Sequence, residues 1–132
     1  MILPILAGAV AIFVFGFLWY TFIFGKTWTK LMGFTPEAMT KAKEGGMAGK
    51  MVAMFALNII TASVLYYLLP NILVFTFAEF LCMTLVVWLG FTFPVLVGPV
   101  LWEGKSWKLV ALNATHGIIA VAILSAIIYY LQ

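Results

Sequence analysis

Charged side chains are absent from residues 1–25, 51–78, 80–102 and 109–132, and apolar residues dominate each run. A helix needs ~20 apolar residues to cross the ~30 Å hydrocarbon core of a bilayer, and every run is long enough. Lipid offers the backbone no hydrogen bonds, so stretches this apolar must satisfy their N–H and C=O groups internally, as helices do. The pattern predicts an all-α polytopic membrane protein, a single transmembrane domain over 1–132 built as a four-helix bundle. The spans should lie near 3–24, 49–69, 77–101 and 108–131.

The polar intervals carry their own signals. Thr35-Pro36-Glu37 reads as a helix start, with Thr35 as N-cap, Pro36 at the first helical position and an acid in the first turn. Phe34 and Met39 have the spacing of a hydrophobic staple, and Gly45-Gly46 is a stop. These predict a short interfacial helix near 36–44, after the first span. Pro70-Asn71 predicts a tight turn. Thr76-Phe77-Ala78-Glu79 fits a capping box, which gives Glu79 a structural task at the mouth of the third span.

Composition sharpens the class. Charged residues are 8% of the 132 and hydrophobic ones 66%, against about 25% charged in soluble domains. A soluble fold of this length could not hide that much apolar surface. All seven basic residues are lysines: Lys26, Lys30, Lys41, Lys43 and Lys50 after the first span, Lys105 and Lys108 after the third. The positive-inside rule assigns both loops to the cytoplasm. The expected location is the cell (inner) membrane with both termini extracytoplasmic. The net charge of +3 is then a topology signal, and no nucleic acid partner is expected. The N-terminus lacks the basic region of a secretory signal and reads as a retained helix.

Candidate chemistry is sparse. Gly25-Lys26-Thr27 and Gly104-Lys105-Ser106 look like the tail of a phosphate-binding loop, but Tyr20 and Pro99 stand where the first glycine is needed. Nucleotide binding is rejected. With Trp28 and Trp107 the two segments resemble each other, which suggests parallel-repeat halves or simply interfacial Trp and Lys anchors. Met47, Met51 and Met54 form a stripe of soft ligands for Cu(I); without a second soft ligand group the stripe reads as packing, and no cofactor is expected. Cys82, the single cysteine, reads as a small packing residue. Gly8, Ile12 and Gly16, and likewise Gly90, Pro94 and Gly98, suit close helix approach. Pro94 should kink the third span.

Polar residues inside the spans say more. Asn58 lies in the second span, Asn113 and His116 share a face of the fourth, and Thr84, Trp88 and Thr92 form a stripe on the third. One reading is interhelical hydrogen bonding, worth under ~1 kcal/mol per bond on average. The other is a polar-ligand or proton-linked site using His116. There is no nucleophile–base pair, no metal-ligand cluster and neither Asp nor Arg, so a non-enzymatic protein is expected.

Gly16-Phe17-Leu18-Trp19-Tyr20 followed by Phe24-Gly25-Lys26-Thr27-Trp28, then Met32-Gly33-Phe34-Thr35-Pro36-Glu37, Trp88-Leu89-Gly90-Phe91, Glu103-Gly104-Lys105 and Asn113 form an ordered set of motifs. In them the chain resembles the domain-of-unknown-function 1761 family over essentially its whole length. The resemblance implies a small four-helix membrane protein and leaves activity open. Trp19, Tyr20, Lys26, Trp28, Asn58, Glu103, Lys105, Asn113 and His116 all map to the cytoplasmic half and make up the candidate cluster. Glu103 is expected to pair with Lys26 or Lys105, clamping the first and third spans with Trp19 and Trp28 alongside.

The expected role is a self-associating or accessory membrane subunit, with the lipid bilayer and further copies or partner subunits around it. The alternative is a small-solute or proton-linked channel or transporter lined by Asn58, Asn113 and His116. The threading makes a direct prediction: a reporter fused after Gln132 reads extracytoplasmic, and one inserted near Gly45 reads cytoplasmic. The reverse pattern would overturn the topology.

Overall fold

A computed structural model describes residues 2–44 and 46–132, apart from the side chains of Met39, Ala42 and Lys43. The Phe34–Met39 staple and the Gly45 half of the glycine stop lie outside the described residues. Helix α1 (Ile2–Leu18) widens into a π turn (Trp19–Ile23) and leads into α2 (Gly25–Met32). Then come α3 (Pro36–Glu44), α4 (Met47–Leu68), a 3-10 turn (Leu69–Asn71), α5 (Phe77–Phe91), α6 (Phe93–Glu103) and α7 (Trp107–Leu131). Among the described residues there is no strand.

Four stretches are long and apolar enough to cross a membrane: Ile2–Ile23, Met47–Asn71, Phe77–Glu103 and Trp107–Leu131. Only 11% to 28% of each is buried within the chain. The side chains left outside are Leu57, Ile60, Val86, Leu89 and Val95, apolar and more than half exposed. Water would expel such a surface, whereas hydrocarbon solvates it. The protein is an integral membrane protein.

Local chemistry fixes the element ends. Thr35 Oγ1 accepts from the Ala38 amide at 3.1 Å at the start of α3. Thr76 Oγ1 accepts from the Glu79 amide, and the Glu79 carboxylate accepts from the Thr76 and Phe75 amides, closing a capping box on α5. Gly33 and Gly104 end α2 and α6 in the left-handed region, with φ of 75° and 68°. There the Phe34 and Lys105 amides reach back to the Thr29 and Pro99 carbonyls.

Several expectations need correction. The first span ends at Ile23, close to the expected residue 24, but the interval after it is not a plain loop, since a separate helix, α2, follows the bend at Phe24. Gly25 opens that helix while Gly104 closes α6, so the two Gly-Lys-Thr/Ser-Trp segments are not equivalent halves of a repeat. The third span is interrupted at Pro94 as expected: the break falls at Thr92, two residues before it, and Pro94 takes a first-turn position in α6. Thr92 is therefore exposed at the break, while Thr84 and Trp88 are buried. Cys82 is exposed on α5 and does not pack inside.

The spans pack in the order α4, α1, α7, α5–α6, with α1 and α7 central; α4 and α5 barely touch. The apolar core fills the end that carries the termini: Ala9, Ile12, Ala62, Phe80, Leu124 and Ile128. The Thr84 and Ser125 hydroxyls share a buried hydrogen bond of 2.9 Å across α5 and α7. Glycine makes the close approaches. A Cβ on Gly8 would lie 2.5 Å from Leu124 Cδ1, and one on Gly117 would lie 2.5 to 2.9 Å from three atoms of the Trp88 indole.

These two glycines make a comparative prediction. The Leu124 methyl can turn aside, whereas the Trp88 ring is rigid. Gly117→Ala should cost about 1–3 kcal/mol of overpacking and lower Tm in detergent by more than Gly8→Ala. Equal Tm values for the two variants would refute the contact.

Candidate functional site

The opposite end of the bundle is built from different material. Two consecutive aromatics, Trp19 and Tyr20, enter the π turn, where the Phe24 amide bonds the Trp19 carbonyl at 2.8 Å. That five-residue step inserts an extra residue into the helix, a feature frequent at functional sites. Gly25 permits it: a Cβ there would meet the Tyr20 carbonyl oxygen at 3.2 Å.

Tyr20 donates its hydroxyl hydrogen to Asn113 Oδ1 at 2.7 Å, joining α1 to α7. His116, one turn further along α7, is enclosed by rings. It stacks on Phe15 at 5.2 Å and 5°, and lies 4.9 Å from Tyr20 and 6.1 Å from Trp19. Its Nε2 is buried without a hydrogen-bond partner, and Gly16 opposite leaves it room, since a Cβ there would sit 3.4 Å away. Among the described residues the Trp19 indole N–H beside His116 and the Trp88 indole N–H against Gly117 are likewise buried and without a partner. An unmet buried polar group costs about 1–3 kcal/mol, and two of the three lie together here.

A half-open cavity of about 470 Å³ adjoins this cluster between α1, α4 and α7. Phe13, Gly16, Phe17 and Tyr20 line it from the first span, Trp28 from α2, and His116 and Ala120 from α7. Helix α4 contributes Lys50, Met51, Met54 and Asn58. Asn58 is half-buried, and among the described residues its side-chain amide makes no hydrogen bond. Phe17 and Met54 are 42% and 52% exposed, so the mouth opens on the lateral surface that the bilayer covers. The volume lies within the ~300–1,000 Å³ usual for small-molecule sites.

The candidate residues separate accordingly. Tyr20, Trp28, Asn58 and His116 line one cavity; Trp19 and Asn113 form its supporting wall. Lys26 and Glu103 are exposed and stand apart. The expected Glu103 clamp is corrected: among the described residues Glu103 has no ion pair with Lys26 or Lys105, and the Lys105 ammonium donates instead to the Met32 carbonyl at 2.9 Å. That carbonyl belongs to the last turn of α2, where the helix dipole favours a cation. Met47, Met51 and Met54 also line the cavity. Reasoning from sequence missed Phe15, Phe13 and Phe17, because nothing separates an inward aromatic from a lipid-facing one in an all-apolar run. The signal that was present is Gly16, one turn before Tyr20, which opens the face they share.

A family model described as "Protein of unknown function (DUF1761)" matches residues 3–129. The protein therefore belongs to this family of small membrane proteins of unknown function. No curated protein and no solved structure matches the chain.

The Tyr20–Asn113 bond makes a test. Interhelical hydrogen bonds in membranes average ~0.6 kcal/mol and reach ~1.7, and here the wall of the site depends on one. Tyr20→Phe and Asn113→Leu should each lower Tm, and the double variant should fall well short of their sum. Additive losses would mean that the two side chains act separately.

Proposed function

We propose that this protein is a non-enzymatic binder of a small amphipathic molecule drawn from the bilayer. The observation that supports this most is the half-open 470 Å³ cavity that reaches Asn58 and His116 within the spans. A polar amide held in such a place without a partner among the described residues is satisfied when a ligand supplies one. The surroundings of His116 are rings and an amide, with no nucleophile and no carboxylate among them, which favours binding over catalysis. In the orientation drawn from the lysines, the cavity lies in the cytoplasmic half of the membrane.

Protein extracted in mild detergent should carry a bound small molecule visible by native mass spectrometry. Met54→Trp, which fills the mouth from an exposed position, should lose it while keeping wild-type helicity. Wild-type protein free of any adduct and not stabilised by any fraction of a membrane lipid extract would overturn the reading.

A second reading, self-association, has its own observation. Gly8 and Gly16 are used up inside the chain, against Leu124 and His116, whereas Gly90 and Gly98 have open space where a Cβ would stand. Close approach by another copy therefore has open glycines left on α5 and α6. A detergent-corrected column mass that drops to a single chain in Gly90→Leu/Gly98→Leu would support it; a wild-type monomer would sink it.

A further inference from the structure

The side chains around the cavity restrict what can enter it. Asn58, Trp28 and His116 bring N–H groups to the cavity, while the Asn58 carbonyl and the Thr21 and Thr61 hydroxyls can also accept. An occupant with acceptor oxygens meets the larger set of donors. Among the described residues no Asp or Glu lines the space, so an organic cation finds no carboxylate there.

Depth narrows the class. Asn58 is eight residues beyond Lys50 on α4, about 12 Å along the axis at 1.5 Å per residue. Two turns inside the span, an ionised carboxylate facing only an amide and an imidazole would be desolvated at a cost of several kcal/mol. A neutral carbonyl is cheaper to bury. A plain acyl chain would leave the Asn58 amide unmet.

Shape narrows it again. Phe13, Phe17, Tyr20, Trp28 and the His116 ring face the cavity, and the Phe15 ring backs the imidazole in a parallel stack. Flat walls suit a planar π system. The thioethers of Met51 and Met54 at the same opening pack adaptably against ring edges. The lateral mouth between Phe17 and Met54 leaves a long apolar tail in the hydrocarbon.

Resting on the ligand-binding reading above, we infer that the cavity takes a neutral planar ring bearing carbonyl oxygens and an apolar tail, that is, a quinone-type membrane molecule. One carbonyl sits against the Asn58 amide, the ring lies between the aromatic walls with the His116 ring among them, and the tail leaves between α1 and α4. The inference concerns binding alone.

The test uses full-length protein in nanodiscs and equilibrium binding of three probes. These are a para-benzoquinone with a short isoprenoid tail, an alkylbenzene with the same tail, and oleate. The quinone should bind at least tenfold more tightly than the alkylbenzene. Met54→Trp should abolish its binding, and Asn58→Leu should weaken it about tenfold, the value of one well-made hydrogen bond. His116→Leu removes a ring from the wall and should also weaken binding, so the result does not hang on one variant folding. Equal affinity for quinone and alkylbenzene would overturn the inference, as would quinone binding indifferent to Met54→Trp. Oleate binding without quinone binding would overturn the quinone assignment yet leave the cavity as a ligand site. Failure of all three probes while a native adduct persists would do the same.

Discussion

Hydrocarbon cannot hydrogen-bond, and everything in this structure answers to that constraint. A helix meets it automatically, which is why the chain is almost wholly helical. The exceptions are therefore the informative places. Two occur inside spans, the π turn at Trp19–Ile23 and the break at Thr92. At the π turn the Phe24 amide still finds the Trp19 carbonyl, and at the break the Leu96 amide still finds the Thr92 carbonyl. Pro94 has no N–H to offer the Gly90 carbonyl, so the break leaves that group to another partner. Each exception also changes the direction in which side chains leave the helix, and Tyr20 is delivered to Asn113 on α7 from the first of them.

The same constraint divides the bundle into two ends with different work. At the end bearing the termini, Ala9, Ile12, Phe80, Leu124 and Ile128 pack with one polar pair, Thr84 and Ser125, satisfied between themselves. Stability rests there on close contact, with Gly8 and Gly117 setting how near α7 can come to its neighbours. At the lysine-bearing end the polar groups are less evenly matched. Tyr20 and Asn113 satisfy each other, while the His116 Nε2 and the Trp19 indole N–H are left without partners. The Trp88 indole N–H is unmet as well, against Gly117, and each unmet donor or acceptor works against folding.

How much of this was legible in the sequence follows from which signals survive in lipid. The four spans were, because length and the absence of charge are one-dimensional properties. Thr35 at α3 and the Thr76–Glu79 box at α5 were too, since capping is local and keeps its spacing. Tertiary relations were harder. In a soluble helix, polarity marks the outward face, whereas here Val86 and Phe80 are equally apolar and only one is buried. The Glu103 clamp failed for a related reason. Matching depth along the membrane normal says nothing about lateral position, and Lys105 found a helix-end carbonyl nearer to hand. The polar residues and Gly16 gave inward markers. Asn58, Asn113 and His116 do gather between α1, α4 and α7, although Asn113 serves the wall and not the lumen.

The π turn ties these strands together. An α-helix carried straight through Trp19–Ile23 would contain one residue fewer per turn at that point, so everything beyond it would be rotated about the axis. Helix α2 would then leave in another direction, and Trp28 would not reach the cavity it now lines or lie 5.5 Å from Tyr20. Lys105 would lose the Met32 carbonyl that anchors α2 to the loop before α7. One inserted residue thus sets the site wall, its roof and the docking of the lysine-bearing loops together. The glycine that tolerates it, Gly25, lies against the Tyr20 carbonyl, and Tyr20 is the side chain that holds Asn113. The backbone irregularity and the polar contact therefore meet at one residue, Tyr20, which lies in the π turn and bonds Asn113 across the bundle.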